Sequence, residues 1–188
     1  SAKCHEIGWY VMQTKYLLDA NIFIESHNLH YHPSFCEEFW DWVVDGYKEG
    51  RFFSIDKIKT ELVQQANSED ELSIRLRNQK IPSDFFIPSL ADPKVTQAYG
   101  RLMGWLSTTT THYLPKAIQE FQNHKIADPF LVATAMAYNY VIVTKEKANP
   151  AAKNRVKIPD AAAANHVKCI TLQQLLRNHA QENFQFKP

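Results

Sequence analysis

Tyr16-Leu17-Leu18-Asp19-Ala20-Asn21-Ile22-Phe23-Ile24 is the stretch on which the fold class turns. Its near-continuous apolar run is the pattern of a strand buried on both faces, as in a parallel sheet, with two polar residues breaking it. Tyr140-Val141-Ile142-Val143-Thr144 repeats the pattern far along the chain, and Phe52 to Ile55 and Val167 to Ile170 read as shorter strands. Helical signatures alternate with them. Ser34-Phe35-Cys36-Glu37 reads as a capping box opening a helix with Phe35, Phe39, Trp42, Val43, Gly46 and Tyr47 on one face. Asp56 caps a helix from Lys57 to about Gln65, and Ser68 with Glu71 opens a charged, solvated helix running to about Asn78. Asp92-Pro93, Pro115 and Asp128-Pro129 each start a further helix, and Leu131, Ala135 and Tyr138 of the third face inward. A small Ala-rich helix after Asp160 and a last helix from Thr171 complete the series. Strands alternating with helices predict an α/β protein with a central parallel sheet of four or five strands flanked by helices, an α/β/α sandwich.

The 188 residues, 45% apolar, suit one domain with its own core. The expected organisation is a leader over residues 1–14, the domain over 15–179 and a tail over 180–188. Lys and Arg number 21 against 20 Asp and Glu, so no whole-molecule field draws in a polyanion. Any grip on nucleic acid is local, and residues 141–188, with eight basic and three acidic side chains, are the basic part of the chain. Cys4, Cys36 and Cys169 are too few and too scattered for a disulfide framework or a paired C-x-x-C zinc site. A reducing cytoplasm is the expected location. No apolar stretch reaches the ~18 residues of a membrane helix, so no membrane association is expected.

The chemistry points to four acids. Asp19 ends the first buried run, and a carboxylate among Leu17, Leu18 and Ile22 is costly to bury without a cation or donors to compensate it. It also stands beyond the carboxyl end of a strand, where open parallel sheets bind ligands. Glu61 lies beside the apolar stripe of Ile58 and Leu62. Asp128 precedes Pro129 at a helix start, and Glu146 lies just past the second buried strand. Each also has a bland reading: a turn cap for Asp19, an edge-of-stripe acid for Glu61, an N-cap for Asp128 and a loop glutamate for Glu146. Brought together they would repel, which favours a raised pKa on one member or a bound divalent cation, Mg²⁺ or Mn²⁺.

The segments Leu18-Asp19-Ala20-Asn21-Ile22-Phe23-Ile24, Lys59-Thr60-Glu61-Leu62, Ala127-Asp128-Pro129-Phe130-Leu131-Val132-Ala133 and Val141-Ile142-Val143-Thr144-Lys145-Glu146 together resemble a PIN domain over about Lys15 to Arg177. Phe39-Trp40-Asp41-Trp42 and Lys157-Ile158-Pro159-Asp160 resemble one bacterial branch of that superfamily. The resemblance implies a divalent-metal-dependent endoribonuclease with Asp19, Glu61, Asp128 and Glu146 catalytic. Asp19, Glu61 and Asp128 would be the metal ligands, Asn21 a polar helper and Thr144 the hydroxyl that orders the pocket. Glu146 stands where aspartate is commoner in the family. It also implies 5′-phosphate products and, as for many stand-alone members, the toxin role in a toxin-antitoxin pair, with an antitoxin protein as partner.

The loop of Lys145, Lys147, Lys153, Arg155 and Lys157 is either an RNA phosphate-binding element or a solvated face. The competing function is a catalytically idle PIN-like module that binds RNA or protein. Haloacid-dehalogenase chemistry, which also begins at an Asp after a strand, is disfavoured because residue 21 is Asn rather than a second Asp. His27, His30, His32 and Cys36 do not have zinc-motif spacing, Thr108 to Thr111 read as a polar loop, and no P-loop or G-x-S-x-G elbow is present. Trp40, Trp42 and Trp105 are candidates for a homodimer interface, with core packing as the alternative use.

Overall fold

A computed structural model describes residues 12–65, 71–78 and 80–188. The segment Ser1 to Val11 and the expected cap Ser68 lie outside the described residues. The sheet is five-stranded and all parallel, in the order β3-β2-β1-β4-β5, with β1 at Tyr16–Leu18, β2 at Phe52–Ile55, β3 at Phe86–Ile87, β4 at Val141–Val143 and β5 at Cys169–Ile170. The nine α-helices among the described residues are α1 (Ala20–Glu25), α2 (Glu37–Lys48), α3 (Asp56–Gln65), α4 (Glu71–Arg77), α5 (Pro93–Ser107), α6 (Pro115–Phe121), α7 (Asp128–Tyr138), α8 (Ile158–Ala164) and α9 (Leu172–His179). The architecture is an α/β/α sandwich.

The first apolar run does not form one strand. Only Tyr16–Leu18 pair in the sheet. Asp19 takes an extended conformation and accepts from the Ala20 amide, and the chain turns directly into α1. Apolar content alone cannot separate a short buried strand from a buried helix, so the run concealed the break that Asp19 makes. A π-helical turn at Ser26–His30 follows α1.

Helix α2 lacks the expected capping box. Ser34 pairs with the His32 imidazole instead, Cys36 makes no side-chain cap bond, and Phe35 is exposed. The remaining stripe is as expected. Phe39, Trp42, Val43 and Gly46 are buried, and Trp40 joins them. Trp42 donates its indole N–H to the His179 carbonyl and Trp40 to the Tyr31 carbonyl, so both belong to the core rather than to a subunit interface. Residues 180–188, set apart as a tail, fold back onto the domain. Phe184 packs on Tyr31 and Phe39, and Phe186 stacks on His179 against Phe52.

Helix α7 is buried from Pro129 through Ala135 and lies against both β2 and β4, which explains an apolar segment with no polar face. It packs along α5, while α2 and the chain end cover β2 from the Phe52 side. Strand β1 continues to β2 on one side and pairs with β4 on the other, so the strand order reverses between β1 and β4. The crevice at such a reversal, beyond the carboxyl ends of the strands, is where open α/β sheets bind ligands.

Candidate functional site

Asp19 and Thr144 leave the carboxyl ends of β1 and β4, the two strands that flank the reversal. The Asp19 amide donates to the Val143 carbonyl at 3.0 Å, which ties the two strand ends together. The Asp19 carboxylate is 5% exposed and is held on both oxygens. Oδ1 accepts from the Ala20 amide at 2.7 Å, and Oδ2 accepts from the Asn21 amide group at 2.6 Å and the Thr144 hydroxyl at 2.8 Å. Thr144 in turn accepts at Oγ1 from the Glu146 amide at 3.1 Å, and Asn21 accepts at Oδ1 from the Lys145 amide at 3.2 Å. Asp19 is therefore the cap of α1, and its second oxygen is held by Asn21 and Thr144.

Asp128 is the first residue of α7 with Ala127 at the cap position, so its side chain is not consumed in capping. It reaches Arg155 Nη2 at 3.6 Å. The same Nη2 donates to Glu146 Oε1 at 2.6 Å, and Glu146 Oε2 accepts from the Ile158 amide at 3.0 Å. Arg155, expected to stand ready for phosphate, is thus engaged inside the acidic pocket. Glu61, on α3, lines a cleft of about 1010 Å³ together with Asp128 and Arg155.

The pKa shifts show which of the four acids feel one another. Burial, and then the neighbouring Asp128 charge, raise Asp19 from 3.8 to about 7, with Glu146 adding to the rise and the Thr144 and Ala20 hydrogen bonds opposing it. Burial and Glu146 raise Asp128 to about 6, with Glu61 pushing the same way and Arg155 holding it down. Asp128 thus feels Glu146 and Glu61, and its own charge is felt by Asp19. Cys169, on β5, registers the same negative field: burial, Asp19 and Glu146 push its thiol up to about 12.

This donor set suits a hard divalent cation. It consists of carboxylate, amide and hydroxyl oxygens, with the Arg155 guanidinium already standing as a cation between two of the acids. Among the described residues, no group of three or more Asp, Glu, His or Cys side chains stands close enough together to hold a metal ion. The residues fit such an ion in chemistry and charge, while Arg155 stands where ion and carboxylates would have to draw together.

The cleft also takes in Lys57, His124 and Lys125, with Ala117, Phe121 and Leu90 as apolar lining. None of these was singled out in the sequence. The signal was there for two of them, since Lys57 precedes Glu61 by one helical turn and Lys125 lies three residues before Asp128. Lys57 is held by the His124 carbonyl and lies 4.3 Å from the centroid of the Phe130 ring. Of the basic loop, Lys145 pairs with Glu25 at 3.6 Å, Lys147 and Lys153 are exposed, and Lys157 is half-buried at the start of α8. Asp160, expected as the cap of α8, lies in its first turn and accepts from the Asn149 amide at 2.9 Å.

The imidazoles of His27 and His32 lie with ring centroids 4.8 Å apart, and His30 faces Glu25. The hydroxyls of Thr108 and Thr109 bond back to the carbonyls of α5. No helix among the described residues is long and apolar enough to cross a membrane. A comparison with curated proteins finds no match. The match that covers this site spans residues 16–184, from the first residue of β1 to beyond α9, and the chain therefore belongs to the family described as a domain of unknown function, DUF4411.

Proposed function

We propose that the protein is a divalent-metal-dependent endoribonuclease, hydrolysing RNA phosphodiester bonds at the pocket of Asp19, Glu61, Asp128 and Glu146, as its resemblance to PIN domains implies. The observation that carries this reading is the electrostatic convergence on Asp128 of acids from α3, from the end of β1 and from the loop after β4, at the strand-order reversal of a parallel sheet.

Asp19 and Asp128 are the residues that would hold Mg²⁺ or Mn²⁺, with Glu61 at the cleft side. An ion held there would supply neutralisation of the phosphate charge and polarisation of a water. Asn21 and Thr144 hold the Asp19 carboxylate in one orientation, so that it would need no reorganisation to receive an ion. Thr144 also carries the Glu146 backbone, linking the two acids through one hydroxyl. Lys145, Lys147, Lys153 and Lys157, beside the pocket in sequence, would pair with backbone phosphates and position the strand. The toxin role, with an antitoxin partner, is the cellular setting we favour, and growth arrest on induction without that partner is its test.

One observation favours the second reading, a catalytically idle module that binds RNA or protein: Arg155 pairs with Glu146 at 2.6 Å and reaches Asp128 at 3.6 Å, occupying carboxylates that an ion would need. A nuclease assay on single-stranded and structured RNA with Mg²⁺ or Mn²⁺ separates the two. Cleavage by the wild type that falls at least about 100-fold in Asp19→Asn and Asp128→Asn supports the nuclease. RNA binding without metal-dependent cleavage supports the idle module.

A further inference from the structure

Among the described residues, Arg155 is the guanidinium drawn to the acids at this site, and several features of its setting bear on what it does there. Its Nη2 is shared between Glu146 Oε1 at 2.6 Å and Asp128 Oδ2 at 3.6 Å, while the side chain remains 55% exposed. The backbone around it is pinned. Lys153 accepts at its carbonyl from the Leu114 amide, Val156 and Ile158 are buried, and the Ile158 amide donates to the second oxygen of Glu146. The arm can therefore leave the carboxylates without moving the loop. Its exit is the cleft that Arg155, Asp128 and Glu61 line together with Lys57 and Lys125.

We infer that Arg155 is a resident counter-cation that competes with a divalent ion for Asp128 and Glu146, so that ion entry releases its guanidinium into the cleft as a phosphate-binding group. The inference rests on the divalent-ion reading above and adds to it an order of occupancy. The pocket holds buried and half-buried carboxylates whose mutual repulsion must be offset in the metal-free protein. The Arg155 Nη2, shared between Glu146 and Asp128, offsets part of it without desolvating a whole ion. A divalent ion carries twice the charge and would outcompete the guanidinium for these carboxylates. Once displaced, the planar fork matches a phosphate with two parallel hydrogen bonds. One residue thus guards the empty site and serves the filled one, and the pocket is not left with bare like charges at any stage.

The test is Mn²⁺ binding by the full chain, followed by electron paramagnetic resonance and needing no turnover. Wild type, Arg155→Gln and Arg155→Lys are compared at one ionic strength. Arg155→Gln is expected to bind Mn²⁺ about tenfold more tightly than the wild type, the scale of removing one half-exposed competing charge. Arg155→Lys, which keeps a charge and loses the fork, is expected to fall between them and guards against a folding defect in the first variant. Methylguanidinium added to Arg155→Ala should weaken Mn²⁺ binding and should leave the wild type unchanged. Equal or weaker binding by Arg155→Gln, with the wild type binding normally, overturns the competition and leaves the divalent-ion reading standing. No binding by any of the proteins overturns both.

Discussion

Asp19 shows how one side chain can satisfy a structural rule and still be poised for chemistry. Its Oδ1 caps α1 as any turn aspartate would, and its Oδ2 is gripped by Asn21 and Thr144. The grip does not remove the cost of ionisation, because burial and Asp128 still hold the group at about 7. The unfolded chain releases this proton near the ordinary 3.8 and the folded chain near 7, so the folded state binds more protons between those values. The stability contributed by Asp19 therefore falls as the pH rises from about 4 to about 7. Asp128 acts in the same direction up to about 6. In metal-free urea unfolding, Asp19→Asn is expected to lose about 1–2 kcal/mol less stability than the wild type between about pH 5 and about pH 7. Parallel pH profiles for the two proteins would mean that Asp19 ionises as an ordinary carboxylate. At this scale the sequence disclosed much. The sequence singles out Asp19 at a strand end, Asp128 at a helix start, Glu146 just past a strand and Glu61 beside an apolar stripe, and the structure leaves each at that place in its element. The role of Arg155 was not legible, because nine residues separate it from Glu146 and no local pattern tells a loop arginine which way to turn.

Among the elements, α2 and β2 approach more closely than any apolar pattern conveys. A Cβ built on Gly46 would lie 2.0 Å from Cδ2 of Phe52, and that ring is wedged between Trp42, Tyr16 and Phe186 with no room to retreat. Gly46→Ala is expected to destabilise the protein by about 2–3 kcal/mol through overpacking, seen as a lowered urea midpoint with unchanged slope. An unchanged midpoint would show that the helix can shift outward at little cost. Gly46 was legible as a member of the inward stripe, though its reason for being glycine needs the Phe52 ring. The helices that begin at proline were legible because Pro93, Pro115 and Pro129 fix the first turn whatever the tertiary setting. The first strand was overextended because Ala20 to Ile24 is apolar for helical burial rather than for the sheet, and β3 went unread because Phe86–Ile87 is too short for any period. The Ser34 box failed because His32 offered that side chain a nearer partner.

Across the whole molecule, the fold brings to one end of the sheet what the sequence scatters. Asp19 and Thr144 come from neighbouring strands 125 residues apart, and α7 carries Asp128 to the same crevice. The net charge of +1 gives no long-range attraction, so the proposed ion and RNA would have to be held by local arrangement. That arrangement is a negative pocket bordered by a basic loop, with a cleft opening from Asp128 and Glu61. The account's central claim is that this pocket receives a divalent ion between the carboxylates of Asp19 and Asp128. Crystals grown with Mn²⁺ and measured at the manganese absorption edge test it most directly. The account predicts one strong anomalous peak within coordination distance, about 2.1–2.3 Å, of oxygens from both side chains, with Arg155 turned out into the cleft. A pocket with no peak, Arg155 still bridging Asp128 and Glu146, would contradict it.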